Sequence, residues 1–114
     1  MRLYLDRKVA VHDLVARRKP ELTALCLRFG VLRLDVFGSA SHGEGFDATR
    51  SDVDLLVEFA SPTLEYRNFL DFQHALETLL GRRVDLIERK AIEQSRNHIR
   101  RRSILADAEL LYAA

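Results

Sequence analysis

Tryptophan is absent from this chain, cysteine and methionine occur once each, and proline occurs twice. A lone cysteine, Cys26, excludes an internal disulfide framework and any multi-cysteine zinc site, and it fits a reducing, cytoplasmic compartment. No apolar run approaches the roughly 20 residues of a membrane span, so no membrane partner is expected. The opening stretch MRLYLDRKVAVHD carries charge too early and too often for a secretory leader. Charge of one sign is also lacking: 18 basic residues stand against 17 acidic ones, a net of +1. Bulk charge therefore gives no case for direct nucleic-acid binding. His12, His42, His74 and His98 show no ligand spacing, so zinc is not expected.

What is present is 47% apolar and 31% charged residues, too apolar for a disordered chain. A length of 114 residues reads as one domain over 1–114. It can bury roughly two thirds of its unfolded surface without staples. Acid and base are segregated: 7–19 and 96–102 are arginine-rich, and Glu44 to Glu77 is acid-rich.

Apolar residues at Val11, Leu14, Val15, Leu22, Leu25, Cys26 and Phe29 recur at helical spacing and predict an N-terminal helical segment over 1–30. Pro20 suits a first helical turn and Gly30 the residue after the last. Residues 31–90 then read as the sheet core. Leu32, Leu34 and Val36 alternate with Arg33, Asp35 and Phe37 in a strand that stops at Gly38. In 52–59, Val53, Leu55, Val57 and Phe59 share one face, and Asp52, Asp54, Leu56 and Glu58 the other. A helix over 64–80 closes at Gly81, and 83–88 is a third strand. Ile99, Ile104, Leu105, Ala108, Leu111 and Tyr112 predict a basic C-terminal helix within 91–114. The order helix, strand, strand, helix, strand, helix predicts an α+β domain, a small sheet backed by helices on one side.

The chemistry concentrates in Gly38-Ser39, Asp52-Val53-Asp54 and Asp85. Gly38 lets an anion approach the backbone, and Ser39 adds a hydroxyl and an N–H; such a pair after a strand serves either as a plain turn or as a phosphate grip. Ser51 could hold a phosphate or the strand end. Asp52 and Asp54 leave the same face of a strand, where aspartate is disfavoured. They are either a solvated strand end or a site for a divalent cation such as Mg²⁺. Asp85 stands in another apolar strand with no local structural reason. If the two strands are neighbours, three carboxylates converge and repel unless cations neutralise them, as a pair of metal ions would.

Together GSASHGEGFDATRSDVDLLVEF, GRRVDLIE and ILADAELLY resemble the minimal nucleotidyltransferases of the DNA polymerase β-like superfamily, most of all the MNT partners of HEPN/MNT toxin–antitoxin pairs. The resemblance runs from about His12 to Tyr112. It implies a mixed sheet with helices, ATP as substrate, and two Mg²⁺ ions held by Asp52, Asp54 and Asp85. It implies nucleotide contacts from Gly38, Ser39 and Ser51, and help from Asp85 in deprotonating the acceptor. The implied acceptor is a hydroxyl, that of a tyrosine, on a HEPN ribonuclease toxin, in a type VII-like pair. Two positions depart from the family pattern: the spacer over 40–51 is longer than usual, and His42 stands where an arginine is common. A binding-only antitoxin or nucleotide-binding module is the alternative, although all three carboxylates are retained.

Other residues have plainer readings. Asp35 and Glu58 read as surface groups and Cys26 as core. Tyr66 and Tyr112 read as core or rim packing. Arg100, Arg101 and Arg102 read as a nucleic-acid or phosphate patch or, as such runs more often are, the solvated face of a helix.

Overall fold

The computed structural model describes Val15, residues 17–38 and residues 52–114. Ser39, Ser51 and the spacer between them, His42 included, lie outside the described residues.

Helix α1 (Lys19–Phe29) starts with proline in its first turn and ends at Gly30, whose φ of 73° caps it in the left-handed region. Strand β1 (Val31–Phe37) follows at once, and β2 (Val53–Phe59) returns antiparallel to it. Ser61 caps the long helix α2 (Pro62–Leu80), its hydroxyl accepting from the Leu64 N–H at 3.2 Å. Strand β3 (Val84–Glu88) runs parallel to β2. Two helices, α3 (Arg89–Glu93) and α4 (His98–Asp107), lead to a last strand, β4 (Glu109–Ala113), antiparallel to β1. The sheet is mixed, with the order β3-β2-β1-β4.

The strand pattern fixes the layers. Leu34, Val36, Val53, Leu55, Val57, Val84 and Leu86 point to one face and bury against Leu22 and Cys26 of α1 and Phe72, Leu76 and Leu80 of α2. Phe72 sits at the centre of this core, its ring 5.6 Å from Phe29 and 5.9 Å edge-on from Phe59. Cys26 lies in the same core, where burial pushes its thiol up to about 12. The opposite face is covered too: Phe37 and Leu56 pack with Ile92 of α3 and Ile104 of α4.

Four expectations are corrected here. Helices back both faces of the sheet, not one, because Phe37 and Leu56 make an apolar patch that α3 and α4 cover. The C-terminal helix does not run through 91–114. It ends at Asp107, Ala108 is extended, and Glu109–Ala113 becomes an edge strand. The apolar stripe that reads as one helix is divided between two cores: Ile104, Leu105 and Ala108 pack on the α3/α4 side, Leu111 and Tyr112 on the α1/α2 side. No single helix reaches both faces of a sheet. Third, Asp35 is not a surface group but is 1% exposed. Arg33 grips it through two hydrogen bonds of 2.8 and 3.2 Å, and Arg89 approaches at 3.4 Å. Tyr66, read as packed, is 91% exposed. Among the described residues no helix is long and apolar enough to cross a membrane.

Candidate active site

The site forms where β1 ends and β2 and β3 begin. Parallel pairing sets Asp54 directly beside Asp85 and Val53 beside Val84, so both aspartates leave the face opposite the main core. Antiparallel pairing brings Phe37, the last residue of β1, against Asp54. The next residue, Gly38, has a φ of 71°, and a Cβ there would run into the Asp54 carboxylate. Glycine is thus required twice at this position, for the backbone and for the space the carboxylate takes.

Asp54 records the charge density. Its carboxyl is pushed up to about 6, first by burial, then by the negative charges of Asp85 and Asp52. Asp54 is half-buried, while Asp52 and Asp85 are exposed. Of the six residues that the sequence singles out, the structure brings together Gly38, Asp54 and Asp85, with Asp52 close enough to act on Asp54. Ser39 and Ser51 fall outside the described residues.

A cleft of about 660 Å³ opens on these carboxylates, a size typical of small-ligand sites. Its floor is Phe37, Gly38, Asp54, Asp85 and Ile87, and its opposite wall is α4, with Asn97, Ile99, Arg100, Ser103 and Asp107. The sequence marks Arg100 as part of a candidate phosphate patch but not this wall's place across from the carboxylates. Asn97 carried the signal: as the cap that accepts from the Arg100 N–H at 3.1 Å, it sets the start of the helix. From there Arg100, Ser103, Ile104 and Asp107 share one face at i, i+3, i+4 and i+7.

Among the described residues no group of three or more His, Cys, Asp or Glu side chains is placed to hold a metal ion by itself. The donors present nevertheless suit Mg²⁺. They are all carboxylate oxygens, and Mg²⁺ is commonly held by one or two carboxylates together with substrate phosphates and water. The mutual repulsion at Asp54 is the signature of a site that a cation would relieve.

Residues 22–110 match the nucleotidyltransferase domain family. The chain belongs to that family. A curated relative, the protein adenylyltransferase MntA of Thermococcus cleftensis, is 38% identical over 84 residues, which is 73% of this chain and 78% of the relative. A solved structure proposed to be a minimal nucleotidyltransferase superposes with a TM-score of 0.66 at 33% identity, covering 87% of this chain and 93% of that one. A toxin–antitoxin crystal structure with AMP-PNP shares the fold alone, with a TM-score of 0.57 at 17% identity over 84% of this chain and 73% of that one. This nucleotidyltransferase therefore carries its strand-borne aspartates on the mixed sheet seen in its structural neighbours.

Proposed function

We propose that this nucleotidyltransferase moves AMP from ATP onto a hydroxyl of a partner protein, a tyrosine of a HEPN-family ribonuclease toxin, and so acts as the antitoxin of that pair. The observation that carries the reading is the register of Asp54 beside Asp85 in a cleft that ends at Gly38. The kinship to a protein adenylyltransferase supports the chemistry, and the toxin–antitoxin neighbour supports the partner.

Asp52, Asp54 and Asp85 are the residues that would hold Mg²⁺, one ion or two. Bound there with the triphosphate, Mg²⁺ would supply charge neutralisation at the α-phosphate. The chain's own part is positional. Gly38 leaves the backbone open to the phosphates, with Ser39 and Ser51 as further contacts. Asp85, the more exposed of the paired carboxylates, takes the proton of the acceptor hydroxyl. The acceptor oxygen bonds to the α-phosphorus, the bond from that phosphorus to the bridging oxygen breaks, and pyrophosphate leaves with the electron pair. The cleft's open side is the acceptor's way in. A reducing compartment such as the cytoplasm suits the free thiol of Cys26.

The test is transfer of label from α-labelled ATP to a co-purified HEPN toxin in the presence of Mg²⁺. Label on the toxin's tyrosine, lost with EDTA, is the expected result. A toxin neutralised without any label would turn the reading to the binding-only antitoxin.

A further inference from the structure

Three consecutive arginines on α4 serve three different surroundings. Arg101 donates to the Ser95 carbonyl at 3.0 Å and lies 2.8 Å from His98 Nδ1. Arg102 lines an adjoining groove with His98 and Ala106, on the far side of Ile99 and Ser103, which border both. Arg100 lines the cleft that holds Asp54 and Asp85. The division follows from the helix: successive residues point about 100° apart, so a run of three cannot share a face.

Arg100 is the single cation among the described residues of that cleft, whose other charged members are Asp54, Asp85 and Asp107. Asp107 stands seven residues on, about 10 Å along the helix, too far for a direct pair in a straight helix. No carboxylate among the described residues is within ion-pair reach of the Arg100 guanidinium. The neutral groups beside it, Asn97 and Ser103, are hydrogen-bonding side chains. A planar guanidinium with open donors across from a carboxylate cluster suits a polyanion that spans the cleft.

We propose that Arg100 binds the β- and γ-phosphates of the nucleotide and takes up the charge that grows on departing pyrophosphate. This rests on the reading of AMP transfer given above. The α-phosphate must lie at the carboxylates, where the acceptor is activated. The rest of the triphosphate extends across the cleft from there, between Gly38 and the α4 wall, where Arg100 is the one cation among the described residues. As the bond between the α-phosphorus and the bridging oxygen breaks, the electron pair passes to the pyrophosphate, and the Arg100 guanidinium stabilises the charge there.

The experiment is calorimetric titration of the full chain in Mg²⁺ with AMP-PNP, AMP and inorganic pyrophosphate, for wild type, Arg100→Ala, Arg100→Lys and Arg102→Ala, each checked for unchanged thermal melting. Arg100→Ala should weaken AMP-PNP and pyrophosphate by about tenfold or more, the scale of one lost charge-assisted contact, and leave AMP within about twofold. Arg100→Lys should recover part of the loss by keeping the charge, and Arg102→Ala should match wild type. Wild-type affinity for AMP-PNP in Arg100→Ala, or an equal loss for AMP, would overturn the assignment while leaving AMP transfer standing. A wild-type chain that binds none of the three ligands would overturn the AMP-transfer reading itself, and this assignment with it.

Discussion

Asp54 and Asp85 are neighbours in register on two parallel strands, two like charges held side by side by backbone hydrogen bonds. Parallel pairing gives neither side chain freedom to turn to the other face, because Val53, Leu55, Val84 and Leu86 are locked into the core on that side. The repulsion is therefore built into the sheet, and its relief is left to whatever cation enters the cleft.

A pH dependence follows for the metal-free protein. The Asp54 carboxyl, ordinarily near 3.8, is raised to about 6 in the fold, so the folded state holds this proton more tightly than the unfolded chain does. The contribution is fully present below pH about 4, declines as pH rises through about 6, and is gone above that. Asp54→Asn removes the ionisation and should melt higher than wild type at pH 8 in EDTA, with no such advantage at pH 4. Thermal melts at the two pH values decide this; an Asn variant no more stable than wild type at pH 8 would remove the electrostatic argument.

Charge and proton acceptance can be separated at Asp85. Asp85→Asn keeps volume and hydrogen bonding and loses the base, so transfer of AMP should fall by about 10²–10⁴, the scale of general-base assistance. Nucleotide affinity should persist, because Asp52 and Asp54 still offer carboxylates. Asp52→Ala and Asp54→Ala should abolish transfer. Single-turnover transfer and a binding isotherm on the same preparations check both halves.

Gly38→Ala carries two penalties at one residue. A φ of 71° costs an L-residue about 1–2 kcal/mol. The new methyl also meets the Asp54 carboxylate, which has to swing away from its place beside Asp85. Melting should drop by several degrees, and Mg²⁺-dependent nucleotide affinity should fall further than stability alone explains. Gly81→Ala is the control: its φ of 69° gives similar strain, but nothing lies within 4 Å of a Cβ there. Its nucleotide affinity should match wild type.

Much of this was legible beforehand because strand and helix periods differ so plainly here. Val53, Leu55, Val57 and Phe59 at every second position reveal β2 and the face opposite its aspartates. Gly30 and Gly81 mark both helix ends by the left-handed turn they adopt. What escaped depends on contacts between distant segments. Leu56, apolar among Asp52, Asp54 and Glu58, was the clue to a second helical layer, and its weight shows only once Ile92 and Ile104 cover it. The 104–112 stripe satisfies helical spacing throughout, so nothing local says that Leu111 and Tyr112 belong to a different core from Ile104. The convergence of Gly38, Asp54 and Asp85 needs strand order, which motif spacing alone does not provide.

Asp35 offers the last test, one of the fold beneath the site. Its carboxylate is buried on the same sheet face as the cleft, two residues before Phe37, where β1 pairs it with Leu56 of β2. Two guanidiniums converge on it: that of Arg33, partly in solvent at 41% exposure, and that of Arg89, which opens α3 and is 17% exposed. Removing the acid leaves Arg89 nearly enclosed, with the half-exposed Glu93 at 3.3 Å as its counter-charge, and breaking a buried pair from one side costs about 3–5 kcal/mol. Arg33 can turn to water, which places Asp35→Ala at the lower end of that range. Arg33→Ala should cost less than about 1 kcal/mol, as for an exposed ion pair, because Arg89 still faces the carboxylate. Urea unfolding at pH 7 measures both, and equal costs for the two variants would mean that Arg89 contributes nothing to holding α3 against the sheet. In that case the wall of the cleft would be positioned by Ile92 and Ile104 alone.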